Sequence, residues 1–139
     1  MKYIITLTIL LSVLSCSSNN GELKIDSNEA KNALKAELKL EEKDVVKEIH
    51  YWQKYDSSST AFFKTDSSTI SRIIKRFRMK PDTSYKYLWI PEDAPGWFGP
   101  TIDKSDKRFN TWIKEYSDRK LFIHTNEFNN QCFYANLKW

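Results

Sequence analysis

Residues Trp89–Pro100, WIPEDAPGWFGP, place the tightest limit on what this chain can fold into. The stretch holds three of the four prolines and two of the three glycines. Proline fixes φ and removes a backbone donor, so the segment can neither continue a helix nor lie in a central strand. It nevertheless carries Trp89, Trp97 and Phe98. A loop of this kind either folds back as a lid on a core or displays its rings to a partner. Gly96 and Gly99 flank Trp97-Phe98 and permit a sharp turn that presents both rings together. We expect one ring, Trp97, to pack on the Phe109/Trp112 helical turn and the other, Phe98, to stay partly exposed as a contact site, because aromatic side chains carry much of the energy of interfaces. Glu92 and Asp93 stand beside these rings. Paired carboxylates with aromatic walls are what glycoside hydrolysis needs. Adjacent residues in a proline-rich loop have no defined separation, so Glu92, Asp93, Trp97 and Phe98 read as a binding surface and no residue reads as catalytic.

Around this loop the pattern alternates between hairpins and helices. Asp26 or Ser27 can cap a short helix running to about Leu38, with Ala30, Ala33, Leu34 and Leu38 on one face. Glu41–Asp44 is a charged turn. Val45–Tyr55 and Thr60–Thr65 have β character on either side of Asp56-Ser57-Ser58-Ser59, which predicts a hairpin. Ser68–Met79, with N-caps offered by Asp66-Ser67-Ser68 and its end set by Pro81, is the clearest helix. Ile70, Ile73, Ile74 and Phe77 recur at i, i+3, i+4, i+7, and Arg72, Lys75 and Arg76 lie opposite as a solvated basic face. Phe109, Trp112, Ile113 and Tyr116 repeat that spacing and predict a short helix over Asp106–Tyr116. Leu121–Trp139 reads as a second hairpin, with Leu121, Ile123, Phe133, Ala135, Leu137 and Trp139 sharing one face. That requires a three-residue loop, Glu127-Phe128-Asn129, with Asn129 left-handed, and it sets His124 opposite Cys132. A Cys–His pair invites a thiol nucleophile. A lone cysteine in a strand is more often a buried structural residue.

The N-terminal end says most about where the chain resides. Lys2 precedes an apolar run of about a dozen residues, too short for the roughly 20 helical residues a bilayer needs and of the length of a signal-peptide core. It ends in Val13-Leu14-Ser15-Cys16. This resembles the lipobox of bacterial lipoproteins: an aliphatic residue three before the cysteine and a small residue just before it. The resemblance implies cleavage before Cys16 and acylation of its thiol and new amine, hence anchoring to a membrane by palmitate-like chains. Ser17 in place of an aspartate implies the outer rather than the inner membrane. The layout also resembles small envelope lipoproteins, through Pro95-Gly96-Trp97-Phe98-Gly99-Pro100 and Tyr134-Ala135, a likeness that implies no activity.

These readings predict residues 1–15 as a signal peptide, 16–26 as a lipid-anchored tether and 27–139 as one α+β domain. Its expected fold is an antiparallel sheet of four to five strands from two hairpins, with one amphipathic helix packed across it and a short N-terminal helix. The formal charge of +4 is too weak a bias for nucleic-acid binding. No glycine-rich phosphate loop, zinc-type Cys/His cluster or nucleophile elbow occurs, so no cofactor or metal is expected. The expected function is a non-enzymatic, lipid-anchored cell-envelope protein that binds a protein partner or glycan through the Trp89–Pro100 loop. The alternatives are a small envelope hydrolase and an anchored inhibitor or immunity protein.

Overall fold

The computed structural model describes residues 21–54, 58–83, 94–98, 106–113, 118–126 and 128–138. Strand β1 (Gly21–Leu23) precedes helix α1 (Asn28–Leu38), and β2 (Lys47–Gln53) and β3 (Ser59–Lys64) follow. Helix α2 (Ser67–Phe77) then leads to β4 (Lys80–Pro81), β5 (Lys107–Trp112), β6 (Arg119–Thr125) and β7 (Gln131–Lys138). All seven strands join one sheet in the order β1-β2-β3-β7-β6-β5-β4, and each pairing is antiparallel.

The expected sheet of four to five strands under one helix is therefore corrected to seven strands with two helices. Residues 21–23, expected within a tether reaching residue 26, form the edge strand β1. The stretch expected as a helix over Asp106–Tyr116 is strand β5 over its described part. The same stretch also alternates: Phe109 pairs with Ile123 and Thr111 with Leu121 on the helix face, which Ile113 joins, while Trp112 falls on the other face. Pairing on both sides, to β4 and β6, decides between the two periods.

Both helices start where their side chains allow. Ser27 accepts the Ala30 N–H at 3.2 Å, and Asp66 accepts the Thr69 N–H at 2.7 Å. Ala30, Leu34 and Leu38 of α1 and Ile70 and Ile73 of α2 are fully buried against Ile49, Tyr51, Ala61, Phe63, Leu121, Ile123 and Tyr134. Ile74 and Phe77 sit half-buried at the margin of this layer. Ile73→Ala is expected to cost about 2–5 kcal/mol and Ile74→Ala less. Urea midpoints that move equally for the two variants would contradict this asymmetry.

Arg72 and Arg76, expected as a solvated face, are instead turned onto the turn between α1 and β2. Arg72 Nε lies 2.6 Å from Asp44 Oδ1 and Arg76 Nη2 lies 3.0 Å from Asp44 Oδ2. The Asp44 side chain is fully buried, and Oδ2 also accepts the Glu41 N–H at 2.9 Å. Arg76 further donates to the Leu38 carbonyl at 3.1 Å. This clasp fixes α2 against the C-terminal end of α1.

The second hairpin differs from its expected register by one residue. His124 pairs with Phe133 and Thr125 with Cys132. Asn129 is left-handed as expected, with φ 53°, but the strands are joined by residues 126–130 and their register is shifted by one. Asn126 Oδ1 accepts the N–H groups of Asn130 and Gln131, and Thr125 Oγ1 donates to Asn129 Oδ1. A shift of one residue exchanges the faces of a strand. Leu121 and Ile123 consequently face the helices, while Phe133, Ala135 and Leu137 join Phe122 and His124 on the other side. The expectation failed because it assumed a single apolar face. Phe98, Phe122, Ala135 and Leu137 form a second buried cluster, covered by residues 94–98.

Candidate functional site

The two faces carry different chemistry. On the face away from the helices, the Phe98 N–H donates to the Pro95 carbonyl at 2.8 Å and closes a turn through Gly96 and Trp97. Phe98 is 3% exposed and packs edge-on to Phe133 at 5.9 Å. Trp97 is half-buried, stacks 5.4 Å from the His50 ring and donates its Nε1–H to Glu22 Oε1 at 2.7 Å. The expected roles of the two rings are thus exchanged, and Trp97 packs on β1 and β2 rather than on Phe109 and Trp112. The described part of this loop is a lid on the second apolar cluster. Glu92, Asp93 and Cys16 lie outside the described residues.

The thiol constellation does not assemble. Cys132 faces the helix layer, whereas His124 is on the opposite face. Burial pushes the Cys132 thiol well above the usual range, so little thiolate exists at neutral pH. Cys132 in native protein is expected to react with a thiol reagent only as fast as the fold opens. Labelling within seconds, without denaturant, would contradict this placement. His124, itself 2% exposed, has Nε2 at 2.7 Å from Asp106 Oδ2. A His–carboxylate pair is half of a nucleophile-activating set. Its other ring nitrogen is buried and has no partner among the described residues.

Under the helices lies a carboxylate that the sequence reading passed over. Glu37, in the last turn of α1, projects from the same stripe as Ala30, Leu34 and Leu38 toward the sheet. Tyr51 of β2 donates to Glu37 Oε1 at 2.6 Å, and Tyr134 of β7 donates to Oε2 at 2.6 Å. The Ser59 hydroxyl of β3 reaches both oxygens, at 2.9 and 2.7 Å. Ala61, paired with both Tyr51 and Tyr134, is the small residue between them. Burial first, then the charge of Glu37, pushes both tyrosine hydroxyls well above their ordinary range. They stay protonated and remain donors. The sequence signal was available: a glutamate three residues after Leu34 falls inside an apolar stripe, and buried tyrosines need partners.

Glu37 also lines a cleft of about 750 Å³ between the C-terminal turns of the two helices and one end of the sheet. Lys39, Arg76 and Arg78 supply cations to its wall, Phe77 aromatic surface, and Thr111 and Asn136 its sheet side, while Trp112 borders it from the strand face that carries Lys120 and Leu137. The amide oxygen of Asn136 is buried and has no hydrogen-bond partner among the described residues. Trp112 is 52% exposed. The cleft therefore offers acceptors at its base, donors at its wall and an aromatic margin, at the volume of a small-molecule site. Among the described residues no group of three His, Cys, Asp or Glu side chains could hold a metal ion.

Over the described residues the fold is an α+β domain with two helices on one face of an antiparallel sheet, residues 94–98 on the other, and a recess at the helix ends. Comparison with protein-family models, with curated proteins and with solved structures finds no match for this chain.

Proposed function

We propose that this chain is a lipid-anchored envelope protein that binds a saccharide in the Glu37–Asn136 cleft and catalyses no reaction. The cleft carries the reading. Sugar hydroxyls both donate and accept, and the cleft sets a carboxylate and an amide oxygen near Lys39, Arg76 and Arg78. An aromatic margin such as Phe77 suits the apolar face of a sugar ring. Lys39 and Arg78, the two cations of the wall that stand outside the Asp44 clasp, favour an acidic saccharide over a neutral one. The anchor is carried by the Val13–Cys16 sequence. The hydrolase alternative would need a nucleophile, and burial of Cys132 speaks against the one the sequence offers.

Asn136→Ala is the test, because Asn136 is half-buried and its amide oxygen has no structural partner among the described residues. Titration with acidic and neutral envelope oligosaccharides, followed by calorimetry, should show binding of an acidic one. Asn136→Ala should weaken it about tenfold, roughly 1.4 kcal/mol, with little change in melting temperature. Absence of heat with every saccharide, or equal affinity in the variant, would remove the cleft from the functional account.

A further inference from the structure

The strand register places one end of the sheet next to the start of β1. Gly21 lies in a row with Gln53, Ser59, Asn136, Leu121 and Thr111. Beyond that row come Lys54 after β2, Lys138 of β7, Arg119 and Lys120 of β6, and Trp112 of β5. The cleft brings Lys39 and Arg78, which follow the last turns of α1 and α2, to the same end. Among the described residues, the acidic groups Glu22, Glu37 and Asp118 are engaged within the protein. Glu22 accepts from Trp97, Asp118 lies 3.8 Å from Lys138, and Glu37 accepts three hydroxyls.

Two features set this end apart from an ordinary basic surface. Lys39 and Arg78 both occupy the left-handed region, with φ 50° and 52°, where helices usually end on glycine. Long cationic side chains are thus held at the carbonyl ends of both helices, where they offset the negative ends of the dipoles. Trp112 is half-exposed, and the Lys120 ammonium lies 5.4 Å from its ring centre. A tryptophan beside a lysine is the pairing found at the level of lipid headgroups.

We infer that this end of the sheet is a docking face for an anionic lipid bilayer. The inference rests on the anchor reading for its geometry. Cys16 stands five residues before Gly21, and five extended residues reach at most about 17 Å. An acylated Cys16 therefore holds the Gly21 end within about that distance of the membrane, and the cations of this end meet anionic headgroups. In this orientation the cleft lies at headgroup level.

The test uses the mature protein in nanodiscs of phosphatidylcholine alone or mixed with phosphatidylglycerol. A water-soluble amine reagent is followed residue by residue by mass spectrometry. Lys39 and Lys138 should label about fivefold more slowly on the anionic discs than on the neutral ones, and high salt should abolish the difference. Lys47, at the opposite end of β2, should not change. The double variant Lys39→Gly/Arg78→Gly suits the left-handed backbone, so its melting temperature should hold or rise while protection of Lys138 is lost. Equal labelling on both discs, equal slowing of Lys47, or full protection in the double variant would overturn the docking face. The intact mass tests the anchor separately. If Cys16 is processed but carries no acyl chain, sedimentation of that chain with anionic vesicles supports the docking face alone, and its absence overturns it.

Discussion

Glu37→Ala is expected to lower the unfolding free energy by about 3–5 kcal/mol, the largest single effect among the polar residues. The substitution removes the acceptor for Tyr51, Ser59 and Tyr134, all three of which are at most 1% exposed. Buried hydroxyls without partners lose their hydration and regain nothing. Glu37→Gln keeps one carbonyl oxygen and should cost less, about 1–2 kcal/mol. The network also predicts an alkaline limit. Both tyrosines have folded pKa values raised above the ordinary 10.0, by burial and then by the charge of Glu37. A raised folded value means that the native state holds the proton more tightly. The associated stability is complete below about pH 10 and falls as pH rises past it, by about 1.4 kcal/mol per pH unit for each tyrosine. Tyr134→Phe should flatten that decline. Urea unfolding of wild type and both variants between neutral pH and the alkaline limb checks both statements. A Glu37→Ala midpoint equal to wild type would mean that the network holds nothing together.

Removing the centre of the Asp44 clasp is expected to be nearly as damaging. Asp44→Ala strands Arg72, whose side chain is 29% exposed, and Arg76, at 16%, beside an apolar layer. Breaking such a pair from one side costs about 3–5 kcal/mol, because the remaining charge is left without compensation. The effect should be smaller if Glu41 takes over Arg76, which it already meets at 3.1 Å. Burial pushes the Asp44 carboxyl up, but the Glu41 N–H and the Arg72 and Arg76 guanidinium groups outweigh it. They hold the carboxyl below its ordinary 3.8. A depressed folded value gives stability that is present above about pH 4 and lost as pH falls through the folded value. Asp44→Asn should therefore weaken the protein at neutral pH and show a shallower acid limb. Parallel acid limbs for the variant and wild type would assign the acid sensitivity to other groups.

Both effects belong to side chains whose partners are distant in the chain. Tyr134 and Glu37 are separated by 97 positions, and Arg76 and Asp44 by 32. From the sequence, Glu37 is one more charged residue on a thin helical stripe, and Arg76 one more cation on a basic face. Their roles follow only when the helix is laid on a particular row of a particular sheet. The loop at residues 94–98 makes the same point in another way. Its proline content excluded regular structure correctly, yet which ring it buries depends on a second apolar cluster that the wrong hairpin register had dissolved.

What the sequence determined by itself is local. Ser27 and Asp66 start the helices, Pro81 stands beyond the end of α2, and Asn129 takes the left-handed turn position. Each acts on backbone groups within a few residues, so no knowledge of the rest of the fold is needed. The tertiary structure decided everything that depends on register and on two-sided pairing. Phe109–Trp112 is compatible with both a 3.6-residue and a two-residue period, and β4 and β6 select the second. In β7 one alternating set carries Phe133, Ala135 and Leu137 and the other Cys132 and Tyr134, so each face has apolar residues to bury, and the Asn126–Asn130 loop sets the register. The cleft has the same origin. Lys39, Arg78, Thr111 and Asn136 are brought together because two helix ends and two strands stop at one edge of the same sheet.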